Sequence, residues 1–370
     1  MFGLAHLPVI DCHVHLQPTL DALVNGSEIL EGTKYEAMNI VCTPQLNNET
    51  LPLNSVGFLF KAMHPGKVYV FPGLRYPPGG ITGNGDTDFD AQIEHFIAMG
   101  ADGLKMHEGK PTTRKTVGVA LDAPVYDSMY RKLQEAKLPV VFHVGDPWIF
   151  WNQQTVPAYA HERGWEYTDG TFADNNQLFA EVEGALKKFP ELRIIFAHFY
   201  FLSSDLERAA AFLERWPTVG FDLTPGIEMF PNFTTRWDEW RDFFIRFQDR
   251  IFFGTDIIGA DHTPNPNNVA QAMYRTYCVR NFLETDHEFM TWDAVAKGFA
   301  LDEPVLRKIY RDNFTACAGT SPRQLDMGLI VRDCERVASA ASGAEKGTRS
   351  VLMQCMEQAR ALYRASSTTS

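Results

Sequence analysis

Eight short apolar segments, each followed by a stretch of helical periodicity, limit the folds open to this chain more than any other feature. They are Val9–His15, Tyr35–Thr43, Val68–Leu74, Gly103–His107, Pro139–Val144, Arg193–His198, Val219–Leu223 and Ile251–Asp256. Several are apolar almost throughout, as parallel strands buried on both faces must be. Between them, Asp88–Met99 (Phe89, Ile93, Phe96, Ile97) and Ser203–Trp216 (Leu206, Ala210, Leu213) repeat apolar residues at three- and four-residue spacing, which predicts amphipathic helices. This alternation predicts an α/β fold, a closed (β/α)8 TIM barrel, with a doubly wound open sheet as the competing arrangement.

The barrel is expected over residues 1–320, followed by a C-terminal helical extension over 321–370, packed on the barrel or on a second subunit. From about Asn268 onward the pattern reads as wholly helical, and Val351, Leu352, Cys355, Met356, Ala359, Leu362 and Tyr363 mark one face of the last helix. The closing Ala-Ser-Ser-Thr-Thr-Ser reads as frayed. One connection is unusually long. From Gly145 to about Ala173 the chain carries Trp148, Phe150, Trp151, Tyr159, Trp165, Tyr167 and Phe172, which fit a lid over the C-terminal face or a small satellite core equally well.

Charge and cysteine usage narrow the function classes. With 34 basic and 46 acidic side chains the net charge is −12, and no run of Lys and Arg forms the basic face that nucleic acid requires. No segment approaches the ~20 apolar residues of a membrane span, and the N-terminus lacks the basic and apolar regions of a signal peptide. Cys12, Cys42, Cys278, Cys317, Cys334 and Cys355 form no Cys-x-x-Cys pair, so they read as reduced packing residues of a cytoplasmic protein. The expected partner is a small molecule, with a homodimer through the terminal helices.

Chemistry-bearing residues recur at strand ends. In Asp11-Cys12-His13-Val14-His15 the alternation of a strand turns His13 and His15 to one side, inward at the barrel rim, and Cys12 and Val14 toward the helices. His143 ends the fifth strand, His198 the sixth and Asp256 the eighth. Groups so far apart in sequence meet only if the strands are parallel and the barrel closed. Three neutral imidazoles and a carboxylate suit one divalent ion, zinc first with manganese or iron as substitutes, rather than calcium or magnesium.

The same segments carry a family resemblance. Asp11-Cys12-His13-Val14-His15, His143 with Gly145-Asp146-Pro147, Ala197-His198, Phe253-Gly254-Thr255-Asp256 and the helix Pro304–Asn313 resemble the amidohydrolase superfamily. Within it they are similar to the branch that includes aminocarboxymuconate-semialdehyde decarboxylase, over about residues 8–320. The resemblance implies a mononuclear site in which His13, His15, His143 and Asp256 hold the ion while His198 works beside it on the substrate. Some members use a carboxylated lysine on the fourth strand to bridge two ions, a role Lys105 is placed to fill. One ion already satisfied favours a substrate-binding or charge-pairing Lys105 instead.

Further residues are candidates for the substrate. His107 faces inward beside Lys105 as a rim hydrogen-bonder or a substrate contact, while Glu108 is placed to pair with Lys110. Arg75, Arg114 and the basic loop around Lys110 and Lys115 suit an anionic ligand, and Trp148 in the aromatic insertion suits a flat one. Asp146 before Pro147 reads as a turn former, and Asp11 as an acceptor that buttresses an imidazole. His6, His64, His95, His161, His262 and His287 have no partner at ligand spacing and read as structural or solvated.

A metal-activated hydroxide, with Asp256 taking the water's proton and His198 stabilising the oxyanion or shuttling the proton, gives hydrolysis of an amide, ester or lactone bond. The alternative is nonoxidative decarboxylation of an unsaturated or aromatic carboxylic acid. A noncatalytic metal-binding barrel is the third reading, disfavoured because an open rim with an extra histidine suits a reaction.

Overall fold

A computed structural model describes residues 6–77, 80–81, 87–226, 228–259, 268–292, 294–341 and 346–367. Strands β1 (Ile10–Leu16), β2 (Ala37–Val41), β3 (Val68–Phe71), β4 (Leu104–Gly109), β5 (Val140–Val144), β6 (Ile194–Phe196), β7 (Val219–Asp222) and β8 (Ile251–Phe252) are the eight the periodicity predicts. They pair in parallel in the orders β3-β2-β1 and β4-β5-β6-β7-β8. A Gly73–Lys105 bridge joins β3 to β4. On the other side the Cys12 amide donates to the Phe253 carbonyl at 3.0 Å and the Asp256 amide to the His13 carbonyl at 2.9 Å. The result is a closed TIM barrel.

The eighth strand is shorter than expected. Phe253–Asp256 leave the ladder, and β9 (Ile257–Gly259) resumes the pairing with β1. A side chain at Gly254 would meet Thr224 Cγ2 at 3.1 Å and Cys12 Sγ at 3.3 Å, so glycine allows the chain to turn inward here. Asp256 then adopts a φ of 55°.

Two layers of core follow. Ile10, Cys12, Ala37, Val41, Tyr69, Phe71, Val141, Ile195 and Phe252 fill the barrel interior with Phe314. The Asn313–Ala318 helix closes the lower end, its Asn313 amide donating to the Ile251 and Gln248 carbonyls at 2.7 Å. The larger core lies between strands and surrounding helices. Helices begin where short acidic residues cap them: Asp88, Asp174, Asp205 and Asp326 each accept from the amide three residues on.

After β9 the chain is not wholly helical, contrary to its periodicity. A hairpin of β10 (Glu288–Met290) and β11 (Val295–Lys297) follows the Asn268–Glu284 helix. Its period is two, with Phe289 buried between exposed neighbours and Ala296 buried between the exposed Val295 and the half-buried Lys297, a signal too short to compete with the helical pattern around it. All six cysteines are free, five of them buried. No helix among the described residues is long and apolar enough to cross a membrane.

The extension packs on the barrel. Ile330 and Cys334 of the Met327–Ala340 helix, with Cys355, Met356 and Ala359 of the Lys346–Ser367 helix, join the main core. Its polar anchor is the buried Asp333, which accepts from His95 at 3.1 Å, from Arg75 at 3.4 Å and from Arg336. Burial alone raises a carboxyl's pKa, but these three partners override it and hold Asp333 well below the ordinary carboxylate range. A depressed folded pKa stabilises above the unfolded value of about 4 and is lost as pH falls below it. Asp333→Asn is therefore expected to cost about 2 kcal/mol at pH 7, and thermal melts of variant and wild type should converge as the buffer is taken from pH 5 toward pH 2.

Candidate metal centre

The site begins with an irregularity in β1. Its register against β2 shifts between Asp11 and Val14, so Cys12 belongs to the barrel interior instead of facing the helices as simple alternation predicts. The bulge lets His13 and His15 both project into the upper barrel above this apolar layer. Asp11 does not buttress an imidazole. It accepts from the amides of His13 at 3.1 Å and Thr255 at 3.2 Å and from the Thr255 hydroxyl, fastening the bulge to the β8 turn. Burial moves its pKa up to about 7 against these bonds.

The imidazole's acceptor is Asp222, at the end of β7. Its Oδ2 lies 2.8 Å from His13 Nδ1, which places the proton on Nδ1 and leaves the Nε2 lone pair facing the site. That Nε2 lies 3.1 Å from His15 Nε2 and 3.8 Å from Asp256 Oδ1, and His15 Nε2 is 3.4 Å from the same oxygen. One ligand atom from each of His13, His15 and Asp256 falls within 4.8 Å of the others. Burial is the first cause that holds His13 far below its ordinary pKa and His15 down to about 4, so both rings are neutral donors at pH 7.

Acceptor atoms this close repel unless a positive charge sits among them, and this donor set fits a divalent cation. The protein's own nearest cation is Lys105, fully buried, with Nζ 2.9 Å from His13 Nε2. Burial pulls its pKa down to about 8. Lys105 thus stands inside the ligand cluster and not on the open wall. Burial opposes ionisation of Asp256, but His15, His198, His13 and Arg275 outweigh it and bring its pKa down to about 2.

His143 stands beside these three ligands. Its Nε2 donates to the Gly145 carbonyl at 3.0 Å and lies 3.4 Å from Asp146 Oδ1, which leaves Nδ1 as the one lone pair it can offer an ion. Its ring centroid is 4.8 Å from that of His107 and 5.0 Å from that of His198. His107 is hydrogen-bonded to Thr113 at 3.0 Å and also faces the cavity.

His198 opens an unusual turn. His198, Phe199, Tyr200 and Phe201 have φ values of 53°, 54°, 55° and 52°, a left-handed run of four side chains. Each such residue costs about 1 kcal/mol or more. The amide of His198 is held by Asp222 at 2.9 Å and Thr224 at 3.0 Å. Phe199 is buried against Phe221, Phe233 and Trp240, and Tyr200 against Phe179, Phe196 and Phe212. Aromatic burial of this size outweighs the strain. The turn sends those two rings outward and brings His198 and Phe201 to the cavity, with His198 Nδ1 donating to the Thr224 carbonyl at 3.2 Å.

The cavity above the cluster has a volume of about 1080 Å³. Its walls include Leu16, Phe150, Trp165, Phe201, Arg275 and Trp292, with Thr348 and Val351 from the extension. The long insertion is a satellite core of Phe150, Ala160 and Tyr167 whose inner side, through Phe150, Tyr159 and Trp165, forms a wall. Asp146 does more than form a turn. It accepts from Lys110 Nζ at 2.7 and 2.8 Å and from Tyr167 at 2.5 Å, tying the insertion to the β4 and β5 rims. Lys110 therefore pairs with Asp146, while Glu108 accepts from Tyr76 at 2.7 Å.

Three expected substrate residues are turned elsewhere. Arg75 is spent on Gln45 and Asp333, and Arg114 makes a two-pronged pair with Glu181 at 3.0 and 3.1 Å. Trp148 donates to the Phe201 carbonyl at 3.3 Å and packs on Phe179 outside the cavity lining. Among the remaining histidines, His64 bonds Ser27, His95 bonds Asp333 and His161 bonds Glu166. His6 lies 3.9 Å from Glu303, His287 is exposed, and His262 lies outside the described residues.

A model of the amidohydrolase family matches residues 71–314. The chain belongs to that family. The match takes in His143, His198 and Asp256, with the β1 histidines and the extension outside it. Among solved structures the fold is similar to an uncharacterized TIM-barrel protein from Bordetella bronchiseptica, at 12% identity over 84% of this chain and 98% of that one, with a TM-score of 0.50. It is also similar to the IDCase of Metarhizium anisopliae, at 14% identity over 84% and 97%, with a TM-score of 0.51. A third likeness is to 2,6-dihydroxybenzoate decarboxylase from Rhizobium, at 14% over 84% and 98%, with a TM-score of 0.48. No curated protein matches in sequence. Identities this low speak for the fold and for nothing finer.

If Asp222 orients His13, its loss weakens metal binding before it touches the fold's other bonds. Asp222→Asn is expected to lower zinc affinity about 10–100-fold, read by competition with a chromogenic chelator. Unchanged affinity in a folded variant would remove Asp222 from the site.

Proposed function

We propose that the chain is a metal-dependent hydrolase that cleaves an amide, ester or lactone bond of a small, aromatic or anionic substrate. The ligand set is His13, His15, Asp256 and, through Nδ1, His143, with zinc the first choice of ion. The observation that carries this reading is the convergence of the His13, His15 and Asp256 ligand atoms at the floor of a cavity that His198 also lines.

A divalent ion bound there supplies Lewis acidity and a source of hydroxide near neutral pH. The protein's own groups do the rest. Asp256 is kept ionised by its neighbours, so it is ready to take the proton of an attacking water and pass it to the leaving atom. His198 commits Nδ1 to the Thr224 carbonyl and keeps Nε2 to receive and return a proton. Phe150, Phe201 and Trp165 give the cavity above the floor apolar walls. The free thiols fit a reducing compartment, the cytoplasm.

A second reading, nonoxidative decarboxylation of an aromatic or unsaturated acid, draws on one observation, the cation Arg275 in the cavity wall. Product analysis separates the two. Turnover in ¹⁸O-labelled water is expected to place the label in an acid product, whereas release of carbon dioxide without label in the organic product would select decarboxylation. Metal analysis should give one zinc per chain, and two would bring back a bridging Lys105. Asp256→Asn should lower kcat by about 10²–10⁴ with the melting curve retained.

A further inference from the structure

One cation in the cavity wall stands apart from the ion pairs of the described residues. Arg275, in the Asn268–Glu284 helix, is half-buried and lines the cavity. Its guanidinium lies over the Trp292 ring at 5.6 Å, and Nη1 donates to the Thr255 carbonyl at 3.0 Å. No acidic side chain among the described residues lies within ion-pair distance of it. The other basic groups around the site are engaged: Lys105 with His13, Lys110 with Asp146, Arg114 with Glu181. Arg163 also lines the cavity, stacked on Trp165, but it is exposed, where water screens its charge.

The two contacts fix the plane of the Arg275 guanidinium and leave a particular edge open. With Nη1 taken by Thr255, the adjacent Nε and Nη2 have no partner among the described residues, and these two N–H groups form the fork that matches both oxygens of a carboxylate. Arg275 feels Asp256 electrostatically but forms no ion pair among the described residues, so the half-buried guanidinium recovers only part of its lost hydration. An anionic ligand restores the balance. Thr255 adjoins Asp256, so a group on this fork lies beside the reactive floor and against an aromatic face.

We infer that Arg275 holds the substrate by a carboxylate, through Nε and Nη2, with the flat part of the molecule against Trp292. The reading of this cavity as a catalytic site underlies the word substrate here, while the fork itself is a binding site in its own right. Arg275, and not Arg75 or Arg114, then selects organic acids over their neutral analogues.

The test uses the full-length, zinc-loaded protein with benzoate and the neutral benzamide as probes, titrated by calorimetry. Benzoate is expected to bind the wild type, and Arg275→Gln to weaken it ~10–100-fold. Arg275→Lys should fall between, because it keeps the charge and loses the fork. Benzamide affinity should be the same in all three proteins, and so should zinc content. Equal benzoate affinity in wild type and Arg275→Gln, no benzoate binding to the wild type, or a loss shared equally by benzamide would each overturn the assignment. A chain that takes up no zinc at His13 and His15, yet holds benzoate through Arg275, would sink the hydrolase reading and leave the carboxylate fork standing.

Discussion

His13 presents Nε2 to the site only while Nδ1 keeps its proton, and the buried Asp222 carboxylate holds that proton at 2.8 Å. The same carboxylate, through its other oxygen, accepts from the His198 and Thr224 amides and the Thr224 hydroxyl. One side chain at the end of β7 therefore sets the tautomer of a β1 ligand and the start of the β6 turn. Deep in the barrel such a carboxylate cannot be left short of donors, because an unpaired buried charge costs several kcal/mol. The demand works in both directions: the site needs Asp222, and Asp222 needs His13, His198 and Thr224 where they are.

Both residues proposed to handle protons carry backbone strain. His198 and Asp256 both sit at positive φ, where side chains other than glycine are disfavoured. His198 lies just past the end of β6, and Asp256 in the gap between β8 and β9, so neither conformation is part of a regular strand. Packing and a few hydrogen bonds hold them instead. Phe199 and Tyr200 are locked into the aromatic layer beneath the turn, and the Asp256 amide is fastened to His13. Rings too large to rearrange make the geometry stiff, and a stiff floor suits chemistry that depends on distances of a few tenths of an ångström.

The barrel could be read from the chain because several of its strands are apolar almost throughout and its helices repeat every three or four residues. That His13, His15, His143, His198 and Asp256 meet at one cavity could be read because a closed barrel brings strand ends together whatever their separation in sequence. Asp222 could not, although Phe221-Asp222 closes β7 as plainly as Phe142-His143 sits near the end of β5. A lone aspartate after an apolar run also fits a turn, and only the fold shows that β7 stands where it reaches His13. The bulge in β1 was hidden for a related reason: alternation is a rule for regular strands, and Cys12 breaks it through a register shift that leaves no mark on residue type. Arg75 and Arg114 misled because basic residues near a strand end look alike until their partners are seen. Their partners, Asp333 and Glu181, come from remote helices.

What lies outside the barrel decides the shape of the space above the floor. The insertion after β5 supplies one wall through its own small core, and Asp146 fastens that core to the rim by accepting from both Lys110 and Tyr167. The extension supplies another: Leu352 is buried with Val337, Ala338 and Ala341, which sets the first turn of the Lys346–Ser367 helix where Thr348 and Val351 reach the cavity. Substitutions at Val351 or Tyr159 alter the room left for a substrate, since both side chains line the cavity. The reactive floor is thus set by strand ends, and the space above it by helical additions whose side-chain volumes shape it.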